Sequence, residues 1–142
     1  MKQDFHRLAH SVWDCKYHIV WIPKYRRKEL YGAKRKIVVA TIKQWARIKG
    51  IDIIEGHAMP DHIHLCLSIP PKYSVAHAIG LLKGKSASEV MSFGTKSSRM
   101  VRGRTFWARG YCVSTVGLDE ETVREYIRNQ EQKEKLDGET EL

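Results

Sequence analysis

The chain has 142 residues, enough for one domain with a buried core, and its 42% hydrophobic and 29% charged residues mark it as globular rather than disordered. The 25 Lys and Arg against 16 Asp and Glu leave a formal charge of +9, which favours an anionic partner, nucleic acid being the commonest, although a basic but otherwise ordinary enzyme would carry the same excess. Cys15, Cys66 and Cys112 are odd in number and form no C-x-x-C pair, which argues against a disulfide framework or zinc ribbon and for reduced thiols in a cytoplasm, while Met1 to Trp13 lacks the apolar run of a signal peptide or membrane span.

In chain order, Tyr17 to Ile22 is rich in β-branched and aromatic residues and stops at Pro23, so it reads as a first strand. A basic loop with Lys24, Arg26, Arg27 and Lys28 follows. Ile37, Val38, Thr41, Ile42, Trp45 and Ile48 then recur at helical spacing, and Gly50 stands where a helix should end. A second strand runs from about Ile51 to Gly56, and Met59-Pro60-Asp61 turns the chain. From His62 to Ile69 polar and apolar residues alternate, the mark of a strand with one buried face, closed by Pro70-Pro71. Ser74 can cap a second helix with Val75, Ile79, Leu82, Val90 and Met91 on its apolar side. Phe93 to Thr105 is polar, basic and unpatterned, and reads as loop. Tyr111 to Val116 is a fourth strand, and Asp119 caps a third helix with Glu120 and Glu121 in its first turn. The tail from about Asp137 is expected to fray. The order β-α-β-β-α-β plus one helix predicts a single α+β domain over 1–142. Its architecture is the ferredoxin-like, split βαβ arrangement, an antiparallel sheet with helices on one face and a C-terminal helix beyond it.

On the third strand Ile63, Leu65, Leu67 and Ile69 point to the core. His62 and His64 therefore share the open face, roughly 6–7 Å apart at the backbone. Two imidazoles at that spacing can converge on one metal ion, although an H-x-H on a strand can equally be an incidental pair. On the last helix Tyr126 and Gln130 are four residues apart and face one side, while Val123 and Ile127 can serve as its core face. If Tyr126 and Gln130 face the histidines, Gln130 supplies an oxygen ligand, Tyr126 a nucleophile, and the ion keeps open positions for chemistry. Asp61 could hydrogen-bond a ligand imidazole or simply make the turn.

Three other features carry less. Cys66 shares the histidine face but lies roughly 13 Å from His62 along the strand, too far to share an ion. Gly80 to Ser86 has three residues between its glycines where a phosphate loop needs four, and sits in a helical pattern. His57 could touch metal or DNA, but a structural role suits it better. Lys24, Arg26, Arg27, Lys83, Lys85, Arg104 and Arg109 are candidate phosphate contacts, interleaved with Tyr25, Phe106 and Trp107, of which Phe106 and Trp107 read better as core than as base-stacking rings.

Lys24-Tyr25-Arg26, Met59-Pro60-Asp61-His62-Ile63-His64-Leu65, Leu82-Lys83-Gly84-Lys85-Ser86, Trp107-Ala108-Arg109-Gly110-Tyr111 and Tyr126-Ile127-x-x-Gln130 occur in this order. The set resembles the small single-tyrosine HUH transposases of insertion sequences that move as single-stranded DNA, over about Tyr17 to Lys135. The resemblance implies that His62, His64 and Gln130 bind a divalent metal, magnesium or manganese, and that Tyr126 is the nucleophile. It also implies DNA hairpins near element ends as partners, and a homodimer in which one subunit's tyrosine helix completes the other's histidine site. Two other readings stay open: a domesticated relative acting on dispersed genomic hairpins, and a non-catalytic single-strand binding module.

Overall fold

The computed structural model describes residues 6–7, 12–24, 30–93 and 106–140, with side-chain surroundings for 12–24, 30–93 and 106–133. Strands β1 (His6–Arg7) and β2 (Val12–Trp13) form a small antiparallel pair that no periodicity in the sequence announces. Then come β3 (Lys16–Trp21), α1 (Gly32–Lys49), β4 (Asp52–Met59), β5 (His62–Ser68), α2 (Val75–Ser92), β6 (Cys112–Ser114) and α3 (Glu120–Thr140). The main sheet has the order β4-β5-β3-β6 and is antiparallel throughout. This is the expected ferredoxin-like α+β arrangement.

Ile19, Trp21, Ile63, Leu65 and Leu67 from the two central strands meet Val38, Ile42 and Ala46 of α1 and Ala78, Ile79 and Leu82 of α2 in one core. Burying each larger aliphatic side chain contributes about 1.5–3 kcal/mol before the entropy of ordering is counted. Helix α1 begins well before Ile37, because its first turns are basic and solvated and hydrophobic spacing reports only the buried stripe. It ends where expected. Gly50 adopts φ 69°, and the amides of Gly50 and Ile51 reach back to Arg47 O and Ala46 O. Ser74 caps α2, its Oγ accepting from His77 N at 3.0 Å. The Gly80–Ser86 stretch lies wholly inside that helix and forms no phosphate loop.

Two departures from the expected elements matter for the site. Strand β4 runs on to Met59 and carries a bulge between Ile53 and Glu55. The extra residue rephases the strand, so that Glu55, His57 and Met59 pair with Cys66, His64 and His62 and join the face opposite the core. Strand β6 is only three residues long. Gly110 at φ 84° precedes it, and the Ser114 hydroxyl accepts from Val116 N to turn the chain out of the sheet. Helix α3 starts on the Asp119 cap, whose carboxylate accepts from Thr122 N at 2.8 Å, and continues to Thr140, past the point where the tail is expected to fray.

Candidate active site

Strand alternation places Ile63 and Leu65 in the core and turns His62 and His64 to the opposite face. The Nδ1 of His62 lies 2.8 Å from Asp61 Oδ1, so the turn carboxylate orients the ring and leaves Nε2 pointing onward. His64 stands between two more imidazoles, His18 of β3 with ring centres 6.1 Å away and His57 of β4 at 6.5 Å. Burial first, then the neighbouring histidines, push the His64 pKa below the usual imidazole range. The ring is therefore neutral at pH 7, with a lone pair available. His57 is half exposed and paired with Glu55 at 2.9 Å, which makes it neither a core histidine nor a turn device.

His18 and Glu55 share the histidine face, although neither is a candidate site residue from the sequence. Alternation in Tyr17-His18-Ile19 carried the signal for His18, since Ile19 is core. Glu55 had no such signal, because only the bulge brings it to this face. Together with His57, His64 and Cys66 these two border a cleft of about 460 Å³ that the Gly117–Asp119 turn closes.

Helix α3 covers the same face. Val123 is buried, and Val123 and Ile127 roof a second cleft, about 400 Å³, whose floor is Asp61, His62 and His64. Tyr126 and Gln130 lie on the neighbouring stripe of the helix. The Nε2 of Gln130 donates to the Tyr126 hydroxyl at 3.0 Å and to Arg109 O at 3.3 Å. Both amide hydrogens are thereby engaged, and Oε1 is the atom left to meet a cation. Burial pushes the Tyr126 hydroxyl above the ordinary tyrosine value, and the Gln130 hydrogen bond partly offsets that rise.

Within one chain, then, His62, His64 and Asp61 are brought together, and Tyr126 and Gln130 are brought together, but the helix residues facing the histidines are Glu120, Val123, Arg124 and Ile127. Among the described residues no group of three or more His, Cys, Asp or Glu side chains is arranged to hold a metal ion. The His62 ring, oriented by Asp61, and the neutral His64 ring fit a divalent cation as part of a site, and a further ligand has to be of another type or come from another copy of the chain.

The family model described as "Transposase IS200 like" matches residues 11–130, a span that includes both histidines, Tyr126 and Gln130. The chain belongs to the IS200-like transposase family. It is 44% identical over 130 residues to the transposase for insertion sequence element IS200 of Salmonella typhimurium, covering 91% of this chain and 85% of that protein. To the ISDra2 transposase TnpA of Deinococcus radiodurans it is 30% identical over 124 residues, 87% and 89% of the two chains. The crystal structure of a Deinococcus radiodurans R1 protein assigned as a transposase superposes with TM-score 0.74 at 26% identity, covering 88% of this chain and 97% of that one. A REP-associated tyrosine transposase bound to a REP hairpin shares the fold, with TM-score 0.56 at 12% identity, over 86% and 68% of the chains. A DNA-cleaving and rejoining enzyme is therefore the frame for the remaining residues.

In this family member the candidate phosphate contacts scatter. Arg26, Arg27 and Arg104 lie outside the described residues. Lys85 sits over the Trp45 ring at 4.3 Å, in the helix layer on the far side of the sheet from the histidines. Lys24 adjoins the 106–110 segment, its amide donating to Phe106 O, and Arg109 is exposed beside Gln130. Lys83 commits its ammonium to Ala108 O and Gly110 O, both at 2.9 Å. Trp107 is core, 3% exposed, with Nε1 donating to Ser86 Oγ. Its neighbour Phe106 packs edge-on against it, as the core reading of both rings expects. No helix among the described residues is long and apolar enough to cross a membrane.

Proposed function

We propose that this transposase cleaves and rejoins single-stranded DNA at insertion-sequence ends by transesterification through a 5′-phosphotyrosine on Tyr126, with subterminal hairpins as its recognition elements. The observation that carries this reading is the pairing of a half-buried tyrosine, held by Gln130, with a helix that roofs the His62/His64 cleft. A magnesium or manganese ion held by His62, His64 and Gln130 would polarise the scissile phosphate and steady the leaving oxygen. Asp61 keeps His62 in the tautomer with Nε2 available. The Tyr126 oxygen attacks phosphorus in line, the bond from phosphorus to the 3′ oxygen breaks, and a free 3′-OH leaves. The reverse attack by another 3′-OH expels tyrosine and joins new ends without an external energy source. Because the tyrosine pair and the histidine pair sit apart in one chain, a homodimer with sites completed between subunits suits the geometry.

Beneath α3 the sheet face opposite the core carries His18, His57, His62, His64 and Cys66 rather than aromatic rings. That composition argues against a binding-only module of the RNA-recognition type. The test is incubation with single-stranded element-end DNA and magnesium, followed by a denaturing gel. The wild type forms a covalent protein–DNA adduct, and Tyr126→Phe forms none; an adduct with Tyr126→Phe overturns the nucleophile assignment. His62→Ala and His64→Ala abolish the adduct but keep hairpin binding, as does chelation of the metal. Loss of hairpin binding in those variants makes the histidines structural.

A further inference from the structure

The segment 106–110 is held from two sides before it ever meets α3. On one side it pairs with the end of the first core strand, Lys24 N donating to Phe106 O and Ala108 N to Ile22 O, both at 2.9 Å. On the other side α2 grips it. Ser86 Oγ accepts from Trp107 Nε1 at 3.0 Å, and one turn earlier Lys83 Nζ donates to Ala108 O and Gly110 O. Lys83 thus pins the carbonyls of residues 108 and 110, one on each side of the Arg109 carbonyl, and so fixes the peptide that carries it. That carbonyl is the one that receives Gln130 Nε2, whose second hydrogen goes to the Tyr126 hydroxyl. The positive φ of Gly110 is what allows the chain to turn into β6 immediately afterwards.

We infer that Lys83 is a positioning residue for the nucleophile rather than a DNA contact: through Ala108 and Gly110 it sets the Arg109 carbonyl, and through that carbonyl the Gln130 amide and the Tyr126 hydroxyl. An ammonium enclosed between two carbonyls is a charged strut, well placed to stiffen a backbone segment and poorly placed to reach a phosphate. Its partial burial, which lowers its pKa to about 8, agrees with that placement. The functional consequence rests on Tyr126 acting as the nucleophile, so the experiment separates the two.

Lys83→Met removes the strut at nearly constant volume, and Lys83→Gln keeps a neutral donor. Each is made with 3-fluorotyrosine at position 126 and read three ways: ¹⁹F NMR of the folded protein without DNA, hairpin affinity over a salt series, and single-turnover cleavage at saturating DNA and magnesium. In Lys83→Met the ¹⁹F resonance moves towards that of free fluorotyrosine and the cleavage rate falls about tenfold or more. Hairpin affinity stays within about twofold with an unchanged salt slope. Lys83→Gln falls between Lys83→Met and wild type in both resonance and rate, and carries the test alone if Lys83→Met does not fold. An unmoved resonance, together with weaker hairpin binding and a salt slope reduced by about one, overturns the inference and makes Lys83 a phosphate contact. A moved resonance in a protein whose Tyr126→Phe form still makes the adduct overturns the nucleophile reading while leaving the hold of Lys83 on α3 standing.

Discussion

At the scale of single residues, what distinguishes the site is control of protonation and tautomer rather than accumulated charge. His64 is kept neutral by burial and by its histidine neighbours, and His62 is oriented by Asp61. Asp61→Asn retains the size of the side chain but loses the carboxylate, so metal affinity should fall about 10–100-fold, read as the magnesium or manganese concentration that gives half-maximal adduct. An unchanged half-maximal concentration would make Asp61 a turn residue only. The raised Tyr126 value has a defined sign. Raising an acid's pKa leaves the neutral phenol dominant at pH 7, so each step towards alkaline pH enlarges the reactive tyrosinate fraction. The single-turnover rate at saturating metal and DNA should therefore climb about tenfold per pH unit between about pH 6 and 8, and a flat profile would place proton loss outside the limiting step. Ser86 illustrates a purely structural polar group. It is fully buried and receives the only ring N–H of a buried tryptophan. Ser86→Ala should lower unfolding free energy by about 1–3 kcal/mol in denaturant titration, because Trp107 Nε1 loses its acceptor.

At the scale of elements, capping and phase do most of the placing. Ser74 and Asp119 start α2 and α3, and Gly50 stops α1, each by satisfying backbone groups the helix leaves open. Ser74→Ala should cost about 1 kcal/mol, seen as a fall of about 3–5 °C in the thermal midpoint with the adduct-forming rate at 25 °C unaltered. These caps were legible in the sequence because they are local chemistry between residues three apart. The β4 bulge was not. Ile53-Ile54-Glu55 offers no alternation that says which residue is the extra one, and the answer is set by pairing with Leu67 and Cys66 on another strand. Its consequence reaches the candidate site, since it brings Glu55 and His57 to the face that carries His18 and His64.

For the whole molecule, the division of the candidate site into a histidine half and a tyrosine half makes subunit composition a measurable quantity. Mixing His64→Ala subunits with Tyr126→Phe subunits should restore cleavage if sites form between copies, since one intact histidine set then meets one intact tyrosine helix. Mixed preparations as inactive as either variant would place each site within one chain. The charge of +9 predicts a second global property. Hairpin affinity should fall steeply and log-linearly with salt, and a flat response would remove phosphate contacts as the source of binding.

From β3 onward the sequence by itself determined the order of elements, the core stripes of the central strands and the helices, the two histidines on one face and the Tyr126/Gln130 stripe on the last helix. All of these follow from periodicity and i,i+4 spacing, which act along the chain. Tertiary structure alone decided that Lys83 meets carbonyls instead of solvent, that Lys85 lies over Trp45, that Glu55 joins the histidine face, and that Tyr126 is tied through Gln130 to Arg109. Those contacts join residues far apart in sequence, and no local pattern encodes which distant backbone carbonyl or ring a side chain will find.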